Sequence, residues 1–236
     1  MEARAGGATT GCIAAGAGLS VSYPTVIFSF GGGGGGHATD GAEGGAITDY
    51  SGPQGFSKGR VSGSPTLEPL RGGCSGGFPM SSQGTYHNAG GAAQFSSGDR
   101  IVVRGQLDAR GGDGLIEGDQ VDFYVGGGGA GGSLLLEAPA VELLGSTQLL
   151  VSGGGGAQAC ATPLPSCGLG GAGATRTTAA SKGMDITGNN LGSLHASGSG
   201  GGGLGFLRIN TIDSTYTKNT SVVEDGSLST GLIRTR

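Results

Sequence analysis

The sequence predicts an all-β fold: a parallel β-helix, or solenoid, carrying glycine-rich loops of the extended polyglycine type, with essentially no α-helix. Three observations predict it. Glycine fills 57 of the 236 positions, about 24% of the chain, against a usual share of roughly 7%. Each glycine inside a helix costs about 1 kcal/mol relative to alanine, so helix is strongly disfavoured. Between the glycine runs lie short segments that alternate apolar and polar residues at a period of two, the mark of a half-buried strand. These segments recur along the chain as an internal repeat, which is how a solenoid is written in sequence.

Charge and hydropathy argue that the glycine-rich composition is not disorder. The formal net charge is only −4, charged residues make up 13% of the chain, and mean hydropathy is −0.01. Disorder by composition needs high net charge and low hydrophobicity. A pI near 5.3 and the absence of basic runs exclude a nucleic-acid partner. No apolar run reaches 18 residues, so no membrane-spanning helix is expected.

Five segments follow from the composition shifts: 1–30, a strand and cap; 31–92, a glycine-rich insertion; 93–152, solenoid rungs; 153–183, a second glycine-rich insertion with two cysteines; 184–236, further rungs and a cap. Glycine runs punctuate the chain at 31–36, 126–132, 153–156 and 200–203. One rung unit reads Arg100-Ile101-Val102-Val103-Arg104-Gly105-Gln106-Leu107-Asp108. Val141-Glu142-Leu143-Leu144-Gly145 through Val151 repeats it, and Met184 to Gly188 with Leu194 to Ser197 offers a third copy. A second kind of unit comprises Ala93 to Ser96, Leu134 to Ala138 and Phe206 to Thr211. Alternation places Ile101, Val103, Leu107, Leu143, Leu149, Ile186 and Leu194 inside. Arg100, Val102, Arg104 and Asp108 then face outward. Gly105, Gly145 and Gly188 take the corners, where a Cβ is unwelcome. A sandwich is disfavoured because long glycine runs stand where antiparallel hairpins would carry two-residue turn signals.

The rung at 99–112, with the units at 132–139 and 205–211, resembles the filamentous-haemagglutinin-like β-helices of glycine-rich bacterial surface proteins. The flanking glycine runs are similar to those of phage tail-fibre adhesin tips, which pack polyglycine helices side by side. The resemblance covers about residues 90–212. It implies an exported structural or recognition module on a bacterial or phage surface and brings no catalytic residue with it. Residues 1–4 are followed by glycine and alanine rather than by the apolar segment of a signal peptide, so export rests on the resemblance.

The four cysteines, Cys12, Cys74, Cys160 and Cys167, allow three pairings. The short Cys160–Cys167 loop, rich in turn residues, makes that pair the expected disulfide, and Cys12 and Cys74 are the other candidate disulfide cysteines. A zinc site would need closer ligands than His37, His87 and His195 provide. Candidate ligand contacts are His37, directly after six glycines, and Tyr86 and His87, all expected on loop tips. The outward stripe of Arg100, Arg104 and Arg110, with Arg208 stacked in a later rung, suits carboxylate or phosphate recognition. No cofactor or metal is implied. Gly73 to Gly77 matches G-x-S-x-G, but Pro69 before it and Pro79 after it leave no strand–turn–helix elbow. Gly111 to Gly114 starts like a calcium nonapeptide, yet Ile116 stands where an acid belongs. The acids Asp108, Asp113, Glu117, Asp119 and Asp122 could supply a glycosidase pair, but with no tryptophan in the chain a sugar cleft is poorly furnished. The expected function is therefore non-catalytic adhesion to a cell-surface glycan or protein. A self-assembling filament is the alternative, because solenoid ends are unpaired strand edges, and a polysaccharide enzyme ranks third.

Overall fold

The computed structural model describes the chain except residues 1–11, 13–14, 17–18, 24–25, 49, 52–55, 78–88, 119–122, 160–165, 188–193 and 234–236. Its described elements are all strands, with no helix among them. They run β1 (Leu19–Tyr23), β2 (Val26–Phe30), β3 (Ala92–Ser96), β4 (Arg100–Val103), β5 (Gln106–Asp108), β6 (Ile116–Gly118), β7 (Phe123–Val125) and β8 (Ser133–Glu137). The second half holds β9 (Ala140–Leu143), β10 (Gln148–Leu150), β11 (Ser166–Cys167), β12 (Leu194–Ala196), β13 (Phe206–Thr211), β14 (Thr217–Lys218), β15 (Val223–Asp225) and β16 (Ser227–Leu232).

Three parallel sheets organise residues 92–232. One is ordered β16-β13-β8-β3, the second β14-β9-β4 and the third β15-β10-β5. Each chain passage visits them in the same sequence: β3 to β5, then β8 to β10, then β13 to β15. Register keeps like over like. Ala93, Leu134, Leu207 and Leu228 align in the first sheet, Ile101 and Val141 in the second, and Leu107 and Leu149 in the third. Side chains from all three sheets meet in one core, with Leu134, Leu136, Val141, Leu143, Leu149, Leu207 and Ile209 buried. Ile101, Val103 and Leu107 point to that core, while Arg100, Val102, Arg104 and Asp108 are exposed, as alternation predicts. At the corners, Gly145 has φ +64°, where a side chain is strained. Gly105 sits in open space without positive φ, so it is permitted there rather than required. Gly188 lies outside the described residues.

The third passage differs from the sequence expectation. Ile186 and Leu194 do not continue the sheets of β4 and β5: Ile186 bridges Ile47, and β12 joins β2 and β11 in a separate sheet. The true continuation is β14 and β15, downstream of β13. The first two passages already place this kind of unit after its partner, and that order distinguishes 217–225 from 184–197.

The glycine runs are the second body of structure; those at 31–36, 126–132 and 200–203 are buried, and 153–156 is buried in part. Along 126–132 the backbone amides point in three directions, and each neighbour is met again every third residue. Gly126, Gly129 and Gly132 donate to the carbonyls of Leu115, Gly112 and Ala109; Gly127 and Ala130 to Gly77 and Cys74; Gly128 and Gly131 to Gly200 and Gly203. All seven bonds lie between 2.7 and 3.1 Å. A period of three is that of the extended left-handed helix, whose polar groups project outward because it makes no internal hydrogen bonds. The same period recurs at 199–205, where Ser199, Gly202 and Gly205 donate to Ala157, Gly154 and Val151. Neighbouring backbones approach so closely that a Cβ on Gly34 would stand 1.9 Å from the Gly201 carbonyl oxygen. Glycine is fixed here by distance, not by dihedral freedom.

Candidate functional site

The cysteine bonded to Cys74 is Cys12, 62 residues away, with Cα atoms 5.7 Å apart. The bond ties the N-terminal segment to 72–77, a run that accepts two of the bonds from 126–132. Cys167 is also in a disulfide, while Cys160, its expected partner, lies outside the described residues.

His37 was expected on an exposed tip, and the structure buries it. It is 1% exposed, with Nε2 2.9 Å from Ser133 Oγ at the start of β8 and the ring edge-on to Phe206, centroids 5.0 Å apart. Its own carbonyl accepts from the amides of Ser62 and Gly63, which closes the 61–71 loop over it. Burial lowers its pKa from 6.5 to about 4, with the Arg71 backbone offsetting part of the shift. The six preceding glycines, read as a tether to a tip, are interior, so the residue that follows them is interior too. Beside it, Leu67 is buried against Leu135 and Phe206, and Pro65 accepts hydrogen bonds from Arg208 and Ser229. The 61–71 loop is thus a strap across the outer face of the first sheet. Tyr86 and His87 lie outside the described residues.

The arginine stripe is only partly assembled. Arg100 and Arg104 are exposed at β4 and just beyond it. Arg110 holds Asp108 at 2.7 Å and keeps its carboxyl below the ordinary range by hydrogen bonding that outweighs burial. Arg208 stands in a different sheet from Arg100, under the 61–71 strap, and does not stack with the others. Asp108, Arg110 and Asp113 line a cavity of about 530 Å³ whose other walls are glycine-rich backbone at 89–91, 111–112 and 152–154. Asp113 accepts from the Gly155 amide at 2.7 Å. These two acids are engaged in structural bonds. Glu117 lies in β6, and Asp119 and Asp122 lie outside the described residues.

One cluster has no counterpart in the sequence reading. Glu224 occupies the inward position of β15, in register with Leu149 and Leu107, and Lys218 takes the position of Leu143 in β14. The Glu224 side chain is 1% exposed and is held by Lys218 at 2.6 Å, Arg176 at 3.3 Å and the Tyr216 hydroxyl. Burial raises its pKa, but Lys218, Tyr216 and Arg176 together lower it further, so the carboxylate stays ionised. The stabilisation is present above the ordinary carboxyl range and is lost as pH falls through the depressed value. Chemically this is a closed ion-pair plug that ends the apolar core. Charge at the inward positions of β14 and β15 hides the cluster from a reading that looks for apolar residues there.

Compared with known protein families, with curated proteins and with solved structures, the chain finds no match.

Proposed function

We propose that this chain is a non-catalytic, exported recognition module: a three-sided β-solenoid fused to a bundle of polyglycine II helices, which together hold loop tips rigid against a cell-surface glycan or protein. The observation that carries the reading is the period-three hydrogen bonding of the glycine runs. Ordering glycine costs more conformational entropy than ordering any other residue. A bundle in which every third amide finds the same neighbour offsets that cost and yields a stiff platform. The three parallel sheets over one core support the solenoid part. The contact surface moves with these facts. His37 is withdrawn from it, and the exposed turn 176–179, at the end of two glycine segments and fastened through Arg176 to Asp225 and Glu224, takes its place. Asp108, bound by Arg110, and Asp113, bound by a backbone amide, favour scaffold over acid–base chemistry.

Binding of labelled protein to a glycan array and to bacterial and animal cells tests the reading. Saturable binding is expected, lost in Thr177→Ala with Thr178→Ala at unchanged melting temperature. Absence of saturable binding on every surface, or release of sugar products, contradicts it.

A further inference from the structure

The two ends of the three-sheet stack are unlike. At one end β3, β4 and β5 are all edge strands, so the end is flush, and no described residue pairs with their outer edges. The inner ring there is apolar and only partly buried: Ala93, Phe95, Ile101, Val103 and Leu107 pack on the core from one side. Their counterparts one passage deeper, Leu134, Leu136, Val141, Leu143 and Leu149, are at most 2% exposed. At the other end β16 extends the first sheet one strand beyond β14 and β15, so that end is stepped. Its inner positions hold Leu228 in β16, Lys218 in β14 and the buried Glu224 in β15.

We propose that the flush end is a self-association surface, and that two copies of this chain pair on it head to head as a closed dimer. The inference rests on the solenoid reading above. Head-to-tail growth would set an apolar ring on one interrupted by Lys218 and Glu224, and a flat end on a step. A two-fold axis avoids both, because it sets the flush end on itself. For a three-sided stack such an axis passes through one side and exchanges the other two. Passing through the second sheet, it would bring Arg100 of β4 and Arg104 just beyond it against the same arginines of the other copy, and like charges directly opposite destabilise a strand pair. Passing through the third sheet, it would lay β4 against β3, which carries no acid; passing through the first sheet, it pairs β3 with itself and lays β4 against β5 of the other copy. Arg100 and Arg104 then face β5, whose Asp108 shares its charge with Arg110, instead of facing one another. The three open edges gain partners, and the partly exposed apolar rings cover each other. Pairing also removes the edges that would otherwise invite uncontrolled polymerisation, and it doubles the number of binding tips, which raises avidity without any new contact to the target.

Sedimentation of the full chain across a wide dilution series tests the pairing. The expected result is a reversible monomer–dimer equilibrium that stops at two copies. Arg100→Glu with Arg104→Glu is expected to leave the protein monomeric, with unchanged β-type circular dichroism, and adding Asp108→Lys to restore the dimer. A folded wild type that stays monomeric at every concentration, one that grows beyond two copies, or a dimer indifferent to the charge reversal overturns the proposal. Leu149→Asp separates the two readings. If it leaves melting unchanged, the solenoid itself is wrong; if it unfolds the chain while the wild type stays monomeric, only the pairing is.

Discussion

His37 shows how much one side chain's surroundings matter in a chain this rich in glycine. Surrounded by backbone, Phe206 and the 61–71 loop, it is held neutral with a pKa of about 4. The unfolded chain takes up its proton near 6.5 and the folded chain does not, so stability is fully present above pH 6.5 and falls as pH drops toward 4. Between pH 6.5 and 5 the loss should be about 2 kcal/mol. Urea titrations at those two pH values check this: wild type should show the loss, and His37→Leu should be nearly flat over the interval. Equal pH dependence in both would mean that the ring is solvated. Nothing in the local sequence distinguishes this buried histidine from an exposed one. Its position depends on the six preceding glycines lying inside a bundle, which is a property of partners as near as Ala42 and as far as Gly203.

At the scale of elements, alternation was the legible signal. In β4 and β5 the period of two assigned every side chain to its face, because a strand with one buried side tolerates no slip of register. Position 107, 149 and 224 form one column across the third sheet, and the column reads leucine, leucine, glutamate. Leu149 is fully buried and Leu107 lies at the flush rim. Leu149→Ala should therefore cost about 3 kcal/mol, within the usual range for a buried leucine, and Leu107→Ala roughly half as much. Chemical denaturation of the two variants measures both, and equal costs would contradict a stack that ends at β5. The charged end of the column was not legible, since Lys218 and Glu224 put charge at the inward positions where alternation looks for apolar residues. The Cys12–Cys74 bond has no spacing signal of its own. Spacing favours short loops, whereas the pairing observed closes 62 residues and depends on how the glycine segments are arranged.

For the whole molecule, the central claim is that the glycine runs are structure and not tether. Charge and hydropathy pointed away from disorder, but only three-dimensional neighbours distinguish a packed run from a linker, because both read as glycine. The two readings part on substitution: a methyl at Gly34 would collide with the Gly201 carbonyl in the bundle, whereas in a linker Gly→Ala stabilises by restricting the unfolded chain. Amide hydrogen exchange tests the claim most directly. Peptides spanning 31–36 and 126–132 should exchange slowly, with protection close to that of β8 and β13, and Gly34→Ala should lower protection and melting temperature together. Fast exchange throughout both runs, with Gly34→Ala neutral or stabilising, would contradict the account.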